Sequence, residues 1–402
     1  MNALERFLKY VAFDTRSDEN SGTHPSSEKE KLLGAYLVRE LLEIGLADAS
    51  MDDHGYVSAH LLASEGRGGI PAVGLIAHMD TSPDAPGENV KPRVIKYDGG
   101  IVDIGNGVSL DPGYYENLAK YAGREIVVTD GSTLLGADDK AGVAEIVSAM
   151  ERLINHPEIP HGPVAVCFTP DEEIGGGTDF FNLESFGAET AYTVDGGRLG
   201  EIEYENFNAA NASVFLRGIN VHPGDAKNKM RNAILIANEF INMMPPAETP
   251  AHTEGYEGFF HINRIEGTET EASVYMLIRD HDRAKFDERK RRLGRIAAYL
   301  NSKYGRGAAT LYISDSYFNM REMIEPHMEL IDRAKRAFSR TGIEPRTVPV
   351  RGGTDGAKLS FMGLPCPNLS TGGENFHCVQ EFIPADALEK MTEVLVELVR
   401  AE

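Results

Sequence analysis

The chain of 402 residues carries 40 Lys and Arg against 62 Asp and Glu, a formal charge of −22 that excludes a nucleic-acid partner gripped by basic side chains. At roughly 150 residues per domain, it has room for two or three domains with substantial cores. Its 3 cysteines, Cys167, Cys366 and Cys378, lie far apart without C-x-x-C spacing, which excludes a disulfide framework and a thiolate zinc site.

The first residues lack an apolar signal core, and no later stretch approaches the roughly 20 apolar residues of a membrane helix, so a cytoplasmic protein is expected. Leu4, Phe7, Leu8 and Val11 recur at helical spacing, as do Leu33, Tyr36, Leu37, Leu41 and Ile44, with Gly45 as the expected stop. Residues 72–77 are a short apolar run led in by Pro71 and ended by His78-Met79-Asp80, which predicts a buried strand. The segment 81–130, rich in Gly, Pro, Asp and Asn, predicts a long excursion with two short strands, one of them over 125–129. A helix is expected over 139–154 through Val143, Ile146, Val147, Met150 and Ile154, then strands over 164–169 and 191–194. Both strands end in acidic residues followed by glycines, the pattern of an α/β sheet whose carboxyl edge carries a site built from loops.

From about residue 208 the pattern changes. Strand 212–217, helix 231–244, strands 259–265 and 272–278, helix 283–304 and strand 310–314 follow in the order βαββαβ of a ferredoxin-like unit. Helices near 328–339 and 385–400 then resume the α/β pattern. The expected organisation is a catalytic domain in two parts, 1–207 and 318–402, interrupted by an inserted ferredoxin-like domain over 208–317.

Metal-capable side chains occur at His78-x-Asp80, Asp138-Asp139-Lys140, Glu172-Glu173, Asp195-Gly196-Gly197 and His377. Each alone has a structural reading. The pair at 138 and 139 could be an N-cap and first-turn acid, and Glu172-Glu173 a solvated turn. Jointly they argue otherwise, because strands of one sheet bring their ends to a single edge, where imidazoles and several carboxylates would need a cation. Nitrogen and oxygen ligands without thiolates suit Zn²⁺, Mn²⁺ or Co²⁺ better than Ca²⁺ or Mg²⁺.

These residues, together with Gly136-Ala137-Asp138-Asp139-Lys140-Ala141-Gly142, Tyr192-Thr193-Val194-Asp195-Gly196-Gly197, Asn220-Val221-His222-Pro223-Gly224 and Arg351-Gly352-Gly353-Thr354-Asp355-Gly356, resemble the co-catalytic zinc exopeptidases that include carboxypeptidase G, dipeptidases and aminoacylases. The resemblance covers nearly the whole chain. It implies a mixed, mostly parallel sheet flanked by helices, with the ferredoxin-like insert acting as lid and dimerisation domain. It further implies that Asp138 bridges two zinc ions, with His78 and Asp195 completing one site and Glu173 and His377 the other. Asp80 would hold the ring of His78 through its other nitrogen. A hydroxide shared by the two metals would be the nucleophile, and Glu172, left uncoordinated, the general base.

On the insert, the resemblance gives His222 the role of oxyanion stabiliser, in the family often supplied by the partner subunit of a homodimer. Arg279 is a candidate for the peptide's C-terminal carboxylate, and Asn232 and Arg351 are weaker substrate-side candidates. Lys140 would pack or pair at the helix start, and His54, His156 and His281 are read as surface residues. The chain departs from the family at Cys378-Val379-Gln380-Glu381-Phe382, where glycine usually follows the histidine and another histidine precedes Glu-Phe. The expected activity is removal of the N-terminal residue from short peptides, tripeptides foremost. A dipeptidase or N-acyl-amino-acid amidohydrolase would share every ligand; a non-catalytic metal- or peptide-binding protein would have no use for an uncoordinated Glu172.

Overall fold

The computed structural model describes residues 1–401. They divide into two compact units: one comprises Met1–Tyr204, Glu322–Val348 and the segment from Thr354 onward, the other Glu205–Arg321 and Pro349–Gly353.

The first unit is built on an 8-stranded sheet in the order Ser50–Met51, Val57–Leu61, Val164–Thr169, Val73–His78, Thr190–Gly196, Asn368–Ser370, Glu201–Glu203 and Arg346–Thr347. The strands Val164–Thr169, Val73–His78, Thr190–Gly196 and Asn368–Ser370 are mutually parallel, and Val57–Leu61 and Glu201–Glu203 flank them antiparallel. Every residue of Val73–His78 and Val164–Thr169 is buried, which explains why these strands read as unbroken apolar runs instead of alternating ones. Helices Ala3–Tyr10, Glu30–Ile44, Ala137–Asn155, Met328–Arg340 and Ala385–Val399 belong to the same unit. Gly45 ends the second of these at φ 113°, a left-handed conformation that a side chain would resist.

The excursion after Asp80 holds four short strands where the sequence predicts two. Arg93–Lys96 pairs with Glu125–Val128, which also pairs with Ile383–Pro384, and Val102–Gly105 forms a hairpin with Val108–Leu110. The hairpin turns on Asn106-Gly107, both at positive φ (51° and 76°), the twist a two-residue connection requires. Strands of three or four residues are too short to show a period, and their apolar side chains are shared in one small core of Tyr97, Ile104, Leu110, Leu118, Ile126 and Phe382.

The second unit has the order βαββαβ: Asn208–Arg217, Ala233–Asn242, Phe259–Gly267, Glu271–Asp280, Arg283–Tyr304 and Ala309–Tyr317. Its 4-stranded antiparallel sheet runs Phe259–Gly267, Glu271–Asp280, Asn208–Arg217, Ala309–Tyr317. Val214, Val274, Met276 and Ile278 from the sheet pack with Phe240 of the shorter helix and Phe286, Leu293 and Leu300 of the longer one. Asp282 caps the long helix by accepting the Lys285 N–H at 2.8 Å, so the charged sequence starts cleanly despite its low apolar content. Among the described residues, no helix is long and apolar enough to cross a membrane.

Candidate metal centre

The parallel strands deliver their polar residues to one edge of the first unit. His78 is the last residue of its strand, Asp195 lies next to last in Thr190–Gly196, and Glu172 and Glu173 sit in the short 3₁₀ turn after Val164–Thr169. Asp138 arrives differently from the expectation that each segment follows a strand of the large sheet. It stands in the first turn of Ala137–Asn155 with non-helical dihedrals, reached from the small sheet, and its peptide bond to Asp139 is cis. His377 lies in the loop after Asn368–Ser370, at φ 62°.

Asp138 stands between two imidazoles. Its Oδ1 is 2.9 Å from His78 Nε2, which is also 3.3 Å from Asp195 Oδ1. Its Oδ2 is 3.2 Å from His377 Nε2, which is also 3.0 Å from Glu173 Oε2. One carboxylate thus faces one imidazole and one further carboxylate through each oxygen. The donor atoms of His78, Asp138 and Glu173, and those of His78, Glu172 and Asp195, fall into groups within 4.8 Å. The geometry therefore brings Glu172 close to the His78 and Asp195 side, while among the described residues no hydrogen-bond donor engages its carboxylate.

The electrostatics are those of a site made for positive charge. Burial drives the Asp195 carboxyl up to about 7. Burial and then repulsion from Asp138 drive Glu173 up to about 8, and its buried Oε1 has no partner. Burial raises Glu172 well above the ordinary carboxylate range, with Asp195 adding to it. The bonds to Asp138 and Glu173 push His377 up to about 12, and on His78 burial is outweighed by Asp195, Asp138 and Asp80. In effect the imidazoles are asked to carry the positive charge the carboxylates lack. Hard oxygen and imidazole donors at this density, with an orphaned carboxylate oxygen among them, fit divalent cations.

Behind these groups stand residues whose oxygens hold backbone. Asp80 places Oδ1 3.2 Å from His78 Nδ1, its own carbonyl lies 3.1 Å from the same nitrogen, and its carboxylate accepts the Glu172 and Glu173 N–H groups at 3.0 and 3.1 Å. Sequence reading missed three such supports and read a fourth, Asp139, only as a metal-capable or helix-start acid. Asp139 accepts the His78 and Gly142 N–H groups, each at 3.1 Å; Asn368 accepts the Asp195 N–H at 3.2 Å; Glu381 accepts three N–H groups around Asp138; and Ser82 meets His377 Nδ1 at 3.2 Å, where Asp84 also reaches. Asp139 had a local signal, the acid three residues before Gly142 at a helix start. The others bind segments remote in sequence and have none.

Gly142 shows how tightly this edge is built. A Cβ there would lie 1.9 Å from the Val194 carbonyl oxygen and 2.5 Å from Asp139 Oδ1. Gly142→Ala is expected to cost about 3 kcal/mol or more, beyond ordinary overpacking because backbone must move, and thermal unfolding of the variant checks it.

The other predicted residues belong to the second unit. His222 is exposed, and its Nδ1 accepts the Gly224 N–H at 3.2 Å. It lines a cleft of about 540 Å³ together with Asn220, Met230, Asn232 and Glu269. Asn232 caps the helix Ala233–Asn242, accepting the Ile234 and Leu235 N–H groups at 2.9 and 3.3 Å. Arg279 donates through one terminal nitrogen to the carbonyls of Ala210 (3.2 Å) and Ile278 (3.0 Å) and lies over the Tyr317 ring. Arg351 donates to the carbonyls of Gly255, Glu257 and Thr253 and to the Thr253 hydroxyl, so in this unit it clamps the 253–257 loop. His281 corrects the surface reading: it is buried against Phe207, with Nε2 3.1 Å from the Val350 carbonyl. Lys140, also buried, donates to the Phe13 carbonyl at 2.8 Å.

The sequence profile of peptidase family M20/M25/M40 matches residues 129–401. The chain belongs to this family. Relatives similar to it over nearly full length include Peptidase T of Caldanaerobacter subterraneus subsp. tengcongensis, 54% identical over 98% of this chain and 97% of that one. Peptidase T of Clostridium perfringens is 52% identical over 98% of both. Among solved structures, aminopeptidase PepT from Bacillus cereus superposes with a TM-score of 0.78 at 25% identity, covering 99% of this chain and 97% of that one. A dinuclear metal binding peptidase of the M20 family from Bacillus subtilis shares the fold at a TM-score of 0.66 and 16% identity, covering 99% and 97%.

Proposed function

We propose that this M20 peptidase removes the N-terminal residue from short peptides, tripeptides foremost, at two Zn²⁺ ions. Its membership of the family and its likeness to proteins named Peptidase T make it a metal-dependent aminopeptidase. The observation that carries the two-ion reading is Asp138, which presents one oxygen to His78 and Asp195 and the other to His377 and Glu173. His78 and Asp195 would hold one ion, Glu173 and His377 the other, and Asp138 both. Such a pair, when bound, acidifies a water and polarises the scissile carbonyl.

The chain's own part is proton handling and orientation. Glu172, close to His78 and Asp195 and free of donors, would take the proton of the attacking water and return it to the leaving amine. Asp80 supports this by fixing the Glu172 and Glu173 backbone with one carboxylate while accepting from the ring of His78, so base and ligands keep their relative positions. For His222, the resemblance supports a role as oxyanion stabiliser: Nδ1 is occupied by Gly224, which leaves Nε2 to donate. His222→Ala is expected to lower kcat by about 10²-fold with metal content unchanged, the loss typical of one oxyanion donor. Steady-state kinetics beside metal analysis checks it, and an unchanged kcat would return His222 to a turn residue.

Asn232 and Arg279 remain substrate-side candidates, and Arg351 a weaker one because its terminal nitrogens are already engaged. The three free thiols support a reducing cytoplasmic compartment, and the family resemblance supports a homodimer. The deciding experiment combines metal analysis with a panel of di-, tri-, tetra- and N-acetylated peptides. Faster cleavage of tripeptides with a free amino terminus is expected. Preference for dipeptides or N-acylated substrates would overturn the specificity.

A further inference from the structure

We propose that Glu381 is a positioning residue for one of the two cations, tying the loop that carries His377 to the loop that carries Asp138. The inference rests on the two-ion reading above.

Glu381 is 1% exposed, too deep for its carboxylate to be solvated by bulk water. Its Oε2 accepts the N–H groups of Leu135 at 2.7 Å and Gly136 at 2.8 Å, and its Oε1 accepts that of Asp138 at 3.0 Å. These donors sit where the chain enters Ala137–Asn155 with Gly136 at φ 81° and Asp138 at ψ 103°, so the helix itself cannot use them. Three backbone donors on one buried carboxylate fix the position of Asp138 and stabilise the charge that does so.

At the other end, Glu381 follows His377 by four residues in a loop closed at its base by reciprocal bonds between Glu374 and Phe382, 2.9 and 3.0 Å. His377 hangs from this loop with its side chain 43% exposed, held at Nδ1 by Ser82 and Asp84. Of the other backbone supports, Asn368 holds Asp195 from the adjacent strand, Asp80 ties the turn of Glu173 to the end of the His78 strand, and Asp139, next to Asp138, accepts the His78 N–H. Asp139 thus ties Asp138 to His78, two ligands of one ion, and among these supports Glu381 alone ties Asp138 to the loop of His377, its co-ligand for the other. Replacement should therefore loosen the ion held by Asp138, Glu173 and His377, while the Asp139 bond to the His78 N–H keeps Asp138 beside His78 and leaves the other ion, shared with Asp195, nearly as it was. Glutamine is the informative change, because it keeps the shape but turns one acceptor into an NH₂ that opposes an N–H.

The test is stepwise Zn²⁺ binding to stripped protein, read by competition with a chromophoric chelator, for the wild type and Glu381→Gln. Two sites are expected in both proteins, one of them unchanged within about 2-fold in the variant and the other weakened about 10- to 100-fold, as for loss of an outer support of a ligand. Activity lost by the variant should return as free Zn²⁺ is raised. Two unchanged affinities, or an equal fall at both sites with a lower melting temperature, would mark Glu381 as merely structural and overturn the proposal. Should Glu381→Gln not fold, Glu381→Asp, which keeps both acceptors on a shorter arm, is expected to show the same one-sided loss, and equal affinities there overturn it too. Fewer than two ions on the wild type would sink the two-ion reading itself, and this inference with it.

Discussion

Glu172→Gln is expected to retain both metal ions and to lose turnover by about 10²- to 10⁴-fold, the usual contribution of a positioned general base. The residue is isosteric and its backbone N–H is held by Asp80 at 3.0 Å whatever the side chain, so the turn that also carries Glu173 should keep its shape. What is lost is the ability to take a proton. In the metal-free protein, burial and the nearby Asp195 raise the carboxyl well above its ordinary range, which marks it as a group withdrawn from bulk water. Because the donor atoms of Glu172, His78 and Asp195 also group within 4.8 Å, metal analysis must accompany the kinetics. Loss of one ion in Glu172→Gln would make Glu172 a ligand, and full activity with both ions would remove it from the chemistry.

The sequence was legible where one physical rule acts locally. Val73–His78 and Val164–Thr169 stand out because strands covered on both faces must be apolar throughout, and the residues that end them stand out because a strand end is where such a sheet can afford polarity. The helix Arg283–Tyr304 shows itself through Phe286, Leu293 and Leu300 on one stripe. The hairpin at Asn106-Gly107 was equally readable from that dipeptide, yet its strands carry too few apolar residues to draw attention. The helix Asp355–Met362 also had its signals, the Thr354 cap and Gly363.

Other features were not readable in principle. Glu381 makes its bonds to a loop 243 to 246 positions earlier, and His281 is buried by Phe207 and Val350, which only the tertiary fold brings near. Nor did the overall charge point to the site. The supports Asp139 and Glu381 join Asp80, Asp138, Glu172, Glu173 and Asp195 at one edge, but they are few beside 62 acids, most of which are ordinary surface charge.

Removal of the metals should destabilise the fold, and more so as pH rises. In the stripped protein, Asp195 and Glu173 bind protons more tightly than in the unfolded chain, at about 7 and 8 against ordinary values near 4. His377, up to about 12, and His78 shift the same way from about 6.5. Between pH 5 and 9 the folded stripped protein therefore holds more protons at these groups than the unfolded chain does. By linkage, stability is fully present below the unfolded values and is lost as pH rises through the folded ones. Asp138, depressed below its ordinary value, acts in the opposite sense, but only at more acidic pH. The loaded protein behaves differently, because cations replace those protons and bind more tightly as the ligands deprotonate. At free metal about 1,000 times the dissociation constant, each ion adds about 4 kcal/mol. The gap in melting temperature between loaded and chelated protein should thus be several degrees at pH 6 and distinctly wider at pH 8.5, with peptidase activity abolished by chelation and restored by Zn²⁺. Scanning calorimetry of both forms across that range measures it, and a gap that narrows with pH would mean that the clustered carboxylates of Asp138, Glu173 and Asp195 are not what the cations neutralise.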